Sequence, residues 1–404
     1  MKIDKLRATT QQWRSTYPWH FGGSIPPNHG PTVGVDLLSG RAPFGFDPFE
    51  WVREEVVQNP NAVIAGAPAN GKSALVKQAI WWLVGAFGYG FVATDVKGEY
   101  TEIARALGVP VLDLHPEGLA RVNPLEKPDG RLAFVLALAA LCVDRQLEPV
   151  ESAALAAAVN ALPDHPIVPD LVAILREMPE PVLSALVMSR DKALDATSHL
   201  RFGLQGLITG VHAGMFDAAT NVDLDNAHRG FVVDVSGCGT DDRSLRFALL
   251  IGTRAVDQLV SESAAQTLVV NDESWRLAST RETVRWMQHS FKLGRHNGQG
   301  NVLILHRLAE LGGQADGAVG EIASRLVSDA DIHIMFHQGD HVDAVETVNR
   351  LSLPPSTVEL LETLPPYRCL IRARGKLALV DVVLSNEMRA LADTNSKMRS
   401  PSAA

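Results

Sequence analysis

The sequence predicts an α/β fold: a doubly wound, parallel-rich central sheet interrupted by an inserted all-α domain. Three observations carry this. Short apolar runs of strand length alternate with helical stretches, beginning at Ala62-Val63-Ile64-Ala65 and repeating at Gly90-Phe91-Val92-Ala93-Thr94, the pattern of βαβ units. A glycine-containing loop joins the first run to a helix expected from about Lys72 to Phe87. Between residues 130 and 230 the chain turns Ala/Leu-rich (LAFVLALAALC, ESAALAAAVNAL, DLVAILREM) with no convincing strand.

Taken in order, residues 1–60 form an N-terminal segment rich in turn formers, closing with two extended runs around Ser39-Gly40-Arg41 that read as a β-hairpin. The α/β domain occupies 61–129 and 231–394. A short helix is expected over Thr101–Leu107 and an extended piece over Val109–Leu114. After the insertion at 130–230, strands return at Gly230–Val235, Leu268–Val270, Asn301–Leu305 and Ile332–Phe336, with an antiparallel pair at Arg368–Ala373 and Leu377–Leu384. Trp81 and Trp82 read as packing beneath the sheet. Residues 395–404 are a small, polar tail.

Composition excludes several classes. The 404 residues carry 37 Lys+Arg against 46 Asp+Glu, a net charge of −9, which rules out a histone-like basic exterior but not a locally basic channel. Apolar residues are 46% and charged residues 21%, ordinary values for packed cores. The three cysteines, Cys142, Cys238 and Cys369, are far apart without CxxC or Cys–His spacing, arguing against a disulfide scaffold or zinc site and fitting a reducing compartment. The longest unbroken apolar run, Leu132–Val143, falls short of the roughly 20 residues of a membrane span. The N-terminus MKIDKLRATTQQW has no apolar core of a signal peptide. A cytoplasmic location is expected, with docking at the inner face of the membrane left open.

The sharpest motif is Gly66-Ala67-Pro68-Ala69-Asn70-Gly71-Lys72-Ser73, followed by Ala74. It satisfies GxxxxGK[ST] directly after a buried strand and at the start of a helix, the context that makes this pattern a phosphate loop. Glycines let backbone N–H groups wrap phosphates, and the helix dipole favours the anion. Lys72 would contact the β- and γ-phosphates and Ser73 would ligate Mg²⁺. The second motif is Leu268-Val269-Val270-Asn271-Asp272-Glu273. There Asp272 suits the Mg²⁺ shell and Glu273 suits polarisation of an attacking water. Together they indicate a RecA-like P-loop NTPase of the additional-strand type that uses ATP and Mg²⁺. Lys72 and Asp272 are separated by more chain than a minimal P-loop domain holds, and the helical stretch fills that gap.

Other pieces admit two readings from the residues alone. Asp95-Val96-Lys97-Gly98-Glu99-Tyr100 is either a charged turn or a ligand-facing loop at a strand end. Arg295 is either a solvated helix-end cation or an arginine finger. His306, at the end of the strand 301–305, is either structural or a sensor. The His333/His337 pair lacks the Glu of an HExxH site and reads as core or rim histidines.

The ordered set of motifs resembles the motor ATPases of type IV secretion and conjugation, in the HerA–FtsK group of P-loop translocases. The resemblance runs through PTVGVDLLSGRAPFGFDPF, NPNAVIAGAPANGKSALVKQ, DVKGEY, RVNPLE (Arg121–Glu126), VVNDESW with Glu273 and Trp275 in a DEAW-like pattern, GRHNGQGNVLILHRLAEL, and SNEMRALADT. It covers about residues 30–394. It implies that Arg295 is the arginine finger, that Lys97 and Glu99 belong to the nucleotide site, and that the active form is a ring, expected to be a hexamer. It implies partners in a secretion or conjugation apparatus and DNA or protein as the polymer moved. Two departures stand out: His306 replaces the usual Gln, and Ala69 and Asn70 stand where the family has an extra mid-loop glycine. Only some 30 residues precede the match, where the large secretion ATPases carry a further domain, so the chain reads as a motor domain alone, a motor domain cut from a longer protein, or a variant that borrows its anchor from a partner. Two other functions compete: a HerA-like DNA translocase in DNA processing or defence, and an assembly protein that binds nucleotide without turnover.

Overall fold

The computed structural model describes residues 25, 30–115, 118, 120–210, 213–215, 217–221, 229–238, 242–260, 266–273, 276, 280–296, 298–308 and 325–392, with backbone alone at 242, 244, 257–260, 290 and 293–296. Most of the N-terminal segment, Trp275 and the tail 395–404 lie outside the described residues. Among the described residues the strands are β1 (Thr32–Asp36), β2 (Ala42–Gly45), β3 (Ala62–Ala65), β4 (Gly90–Asp95), β5 (Val111–Asp113), β6 (Gly230–Asp234), β7 (Thr267–Asp272), β8 (Gln299–Leu305), β9 (Ile332–Met335), β10 (Arg368–Ala373) and β11 (Lys376–Val382). The chain divides into two compact units, Met1–Gly90 with Gln299–Leu311 and Arg325–Ala404, and Phe91–Gly298 with Gly312–Ser324.

In the first unit the strand order is β2-β1-β11-β10-β9-β3-β8. β3 pairs in parallel with both β8 and β9, while β9, β10, β11, β1 and β2 pair antiparallel in succession. Every residue of β3 and β8 is buried. This is why both read as continuous apolar runs rather than alternating ones. The hairpin of β1 and β2 lies at one edge. Its turn is held by the buried Asp36, which accepts from Leu38 N at 3.0 Å, from the Ser39 hydroxyl, and from Leu379 N at 3.2 Å on β11. Asp47 caps the helix Pro48–Arg53 by accepting from Phe49 N at 2.9 Å and Glu50 N at 3.0 Å. That helix seats the fully buried Trp51 edge-on to Phe44 and Phe46. Trp82 departs from expectation: it is 41% exposed, because it falls on the outer face of its helix, Lys72–Gly85, while Leu75, Ile80 and Leu83 take the inner one.

In the second unit the order is β7-β4-β6-β5, with β4, β6 and β5 parallel. Helices run from Arg131–Val143 through Ser198–Thr209, and the first of them packs on the long helices Asp242–Val260 and Arg281–His296. The helical run ends at Gly210, whose backbone is extended. The described residues beyond it turn back on the RVNPLE segment, with Asn221 N donating to Arg121 O at 3.2 Å and Val122 N to Met215 O at 3.3 Å. The buried Arg254 fixes the next stretch of chain. Its guanidinium donates to the carbonyls of Pro124, Lys127 and Asp129 at 2.9, 2.8 and 2.7 Å and lies 5.7 Å from the ring centroids of Phe134 and Trp286.

The helical layer carries a testable ion pair. Glu151, 1% exposed, accepts both guanidinium nitrogens of Arg145 at 2.8 Å and Glu148 N at 2.9 Å. Burial pushes its carboxyl up, but the Arg145 and Glu148 bonds outweigh that and leave it below its ordinary value. A depressed folded pKa stabilises above the unfolded pKa and is lost as pH falls through the folded one. Glu151→Ala should therefore cost about 2–3 kcal/mol at neutral pH. Urea unfolding should show that cost shrinking as the pH is lowered below the ordinary carboxylate range. A loss that is the same at every pH would contradict the ion-pair account.

Candidate functional site

The first unit presents the phosphate loop. β3 delivers Gly66 against the end of β9, where an added Cβ would stand 2.6 Å from Phe336 Cβ and 3.2 Å from His337 O. Gly66 and Gly71 have φ of 154° and 103°, conformations that suit glycine. A Cβ at Gly71 would stand 2.9 Å from Tyr367 Cδ1. Ala67 N donates to His337 O at 2.8 Å, and Tyr367 N donates to Asn70 O at 2.9 Å. Gly71 then opens the helix Lys72–Gly85 with no side-chain cap on its first turn, leaving the positive end of the helix dipole for an anion. Lys72 is 6% exposed, and its ammonium donates to Gly66 O at 2.6 Å and Ala67 O at 3.1 Å. His306 Nδ1 lies 3.5 Å from the same ammonium. Ser73 is half-buried in the first turn, Pro68 and Ala69 are exposed, and Ala74 is buried.

The second unit presents the acidic groups. Asp272 ends β7, and Glu273 follows in the left-handed region with φ 58°, a strained conformation for a non-glycine residue. Glu273 is 3% exposed. Its two carboxylate oxygens are both engaged, one by Lys97 Nζ at 2.5 Å and the other by Arg276 Nε at 3.2 Å. Burial pulls the Lys97 ammonium down, but its bond to Glu273 prevails and leaves its pKa raised. The Asp272 carboxyl is pushed up to about 6 by burial first and by the nearby Glu99 charge next. Glu99 Oε2 is buried without a hydrogen-bond partner. The loop carrying Lys97 and Glu99 is built by Asp95, which accepts from Lys97 N at 3.2 Å, Glu99 N at 3.0 Å and Tyr100 N at 2.7 Å.

The structure thus joins Lys72 to His306 within the first unit, and Lys97, Glu99, Asp272 and Glu273 within the second. Arg295 lies on the helix Arg281–His296, and its side chain is outside the described residues. Sequence reasoning missed Arg276 and Tyr367, and quoted Asp95 within its segment without giving it a role of its own. Asp95 had a signal, an Asp at a strand end followed three residues later by glycine, which is an Asx-turn signature. Arg276 and Tyr367 had none. His333 is a core histidine, with Nε2 3.0 Å from Val327 O and its pKa held down to about 4, chiefly by burial.

The residues of the first unit fit a polyphosphate, and those of the second unit, taken by themselves, fit a hard cation. The uncapped helix start, the two glycines without room for Cβ and the buried lysine suit a polyphosphate. Asp272 and the orphaned Glu99 oxygen are hard donors of the kind that suit Mg²⁺. Among the described residues no cluster of three or more His, Cys, Asp or Glu could hold a metal. Mg²⁺ commonly binds through one or two carboxylates and the substrate's phosphates instead.

Fold and loop together define a RecA-like P-loop α/β protein. No family model matches the chain, and no curated protein matches its sequence. Its fold is similar to that of VirB4 of Thermoanaerobacter pseudethanolicus, with TM-score 0.72 and 18% identity over 91% of this chain and 100% of that one. It is also similar to the plasmid coupling protein TrwB in complex with ADP and Mg²⁺, with TM-score 0.60 and 14% identity over 94% and 93% of the two chains. TrwB with the non-hydrolysable ATP analogue ADPNP gives TM-score 0.60 and 14% identity over 91% and 97%. No helix among the described residues is long and apolar enough to cross a membrane.

The tightness of the loop gives a prediction. Gly66→Ala should destabilise by about 1–3 kcal/mol, because the Cβ meets both a strained φ and the Phe336 backbone region. Gly206→Ala, in a helix with nothing within 4 Å of the added Cβ, should stabilise by about 0.5–1 kcal/mol. Chemical denaturation of both variants checks the pair. A Gly66→Ala protein as stable as wild type would show that the loop relaxes without resistance.

Proposed function

We propose that this chain is an Mg²⁺-dependent ATP hydrolase that serves as a motor of a type IV secretion or conjugation apparatus. The observation that carries the proposal is the strand–loop–helix at Ala62–Gly85, with Lys72 buried at the loop and the helix start uncapped. The fold likeness to VirB4 and to the nucleotide-bound TrwB supports the same reading.

In this proposal the residues 66–74 hold the triphosphate, with Lys72 turning from the loop carbonyls to the β- and γ-phosphate oxygens. Ser73 and Asp272 supply oxygen ligands for Mg²⁺, which when bound neutralises charge on the phosphates. Glu273 orients and polarises the attacking water. Lys97 holds one oxygen of that carboxylate and sets its direction, while Glu99 lies on the same loop. His306 accepts from Lys72. Arg295, from a neighbouring copy in a ring expected to be a hexamer, stabilises the charge that spreads over the γ-phosphate oxygens. The helical region 130–230 serves contact with the polymer, DNA or protein, or with the apparatus. A cytoplasmic site of action, with peripheral docking at the membrane, completes the proposal.

Steady-state hydrolysis and nucleotide binding test it. Lys72→Ala should abolish turnover and weaken binding. Glu273→Gln should keep ATP binding and lose turnover; wild-type turnover in that variant would remove Glu273 as the base. Arg295→Ala should bind ATP nearly normally and hydrolyse it about 10³-fold or more slowly. Mixing it with Lys72→Ala protein should restore part of the activity. Absence of rescue in rings shown to exchange subunits would remove the finger in trans.

A further inference from the structure

Tyr367 precedes β10 and is an exposed aromatic residue packed on the phosphate loop. Its Cδ1 and Cα lie where a Cβ on Gly71 would meet them, at 2.9 and 3.3 Å. The backbone fixes it from both sides: Tyr367 N donates to Asn70 O at 2.9 Å, and Tyr367 O accepts from Val382 N at 2.8 Å on β11. Its φ is 62°, a left-handed conformation that is uncommon for a bulky residue and is found where surrounding structure imposes it. Despite this fixing, the residue is 45% exposed. The backbone that carries this large ring is therefore fixed, in a strained conformation, against the start of the helix Lys72–Gly85, with much of the residue's surface turned to solvent.

We propose that Tyr367 is the stacking platform for the nucleotide base, an aromatic face against which the purine lies while residues 66–74 hold the phosphates. The inference rests on the nucleotide-site reading above and adds the subsite for the base. The chemistry follows from the position. The phosphates are bound by the loop and the helix start, so the nucleoside must leave along the loop's surface, and Gly71 with Tyr367 forms part of that surface. A planar ring on a fixed backbone loses little freedom when a second planar ring stacks on it. Such stacking is tolerant of base identity because every base has a π-face. The site would thus recognise nucleoside triphosphates with little discrimination between purines, and Tyr367 would act on affinity rather than on the chemical step.

Calorimetric titration of the full chain with ATP, with GTP and with inorganic tripolyphosphate separates the roles. Tyr367→Ala should raise the Kd for ATP and for GTP about tenfold and leave that for tripolyphosphate within about twofold. Tyr367→Phe, which keeps the ring, should bind all three as wild type does. Unchanged ATP affinity in Tyr367→Ala would overturn the platform. So would an equal loss for ATP and tripolyphosphate, since that is the signature of a residue that merely shapes the loop. If the wild-type protein binds neither ATP nor tripolyphosphate, the nucleotide reading itself fails, and the platform with it.

Discussion

The closeness of backbone to backbone around the phosphate loop is the constraint on which the first unit depends. Gly66 touches the chain at Phe336 and His337, and Gly71 touches Tyr367. Neither contact leaves room for a single added carbon. The loop is thereby shaped by strand ends far along the sequence, through Ala67 N to His337 O and Tyr367 N to Asn70 O. A loop that offers its N–H groups to a phosphate, as proposed here, cannot use all of them to hold its own shape. Borrowing carbonyls and contacts from the ends of β9 and β10 resolves that conflict. The same logic explains why β3 pairs in parallel with both β8 and β9: a central strand, hydrogen-bonded on both edges, gives the loop a rigid origin.

Charge balance plays the corresponding part in the second unit. Glu273 is buried, in a strained conformation, beside Asp272, and two like charges in so little water repel. Lys97 and Arg276 answer that repulsion from opposite sides of the carboxylate. Asp95 in turn fixes the loop that brings Lys97 there, by accepting three backbone N–H groups. The Asp95 carboxyl is itself raised, first by burial and further by the neighbouring Asp234 charge, so its role is structural anchoring in an acidic neighbourhood. The DVKGEY segment is therefore a unit: its Asp builds the turn, its Gly98 with φ 70° lets the turn close, and its Lys meets the acid at the end of β7.

The fold was legible where information is local. Apolar runs flanked by glycine or acidic residues place β3, β4, β6, β7, β8 and β9 within a few residues of where they lie, and the helix at Thr101–Leu107 coincides with its expected span. The phosphate loop was legible because its glycines serve a backbone need at a fixed spacing. Strand partners were not, because pairing of β1 with β11 is a matter of register between chain ends that no local pattern encodes. Trp82 misled because an apolar helix without a strong polar face gives no orientation. Arg276 and Tyr367 were invisible for a related reason. Tyr367 matters through a left-handed φ and a contact with the distant Gly71, and Arg276 through the burial of Glu273, three residues before it; a spacing of three is too common in sequences to single Arg276 out.

The two departures from the motor family that the sequence resembles acquire physical meaning in the loop. Ala69 and Asn70 stand where the resemblance implies a mid-loop glycine, and Ala69 adopts φ 62°, at a cost of roughly 1–2 kcal/mol for a residue with a Cβ. Asn70 offsets part of this locally, donating from Nδ2 to Ala67 O at 3.2 Å and Pro68 O at 3.1 Å, so that side-chain bonds supply the turn that a glycine would otherwise allow. His306 replaces a glutamine, and its Nδ1 lies 3.5 Å from the Lys72 ammonium. An ammonium only donates, so an interaction at that distance requires Nδ1 to present its lone pair and the ring proton to sit on Nε2. His306 thus stands as a further acceptor beside a lysine whose ammonium already donates to the carbonyls of Gly66 and Ala67 at 2.6 and 3.1 Å.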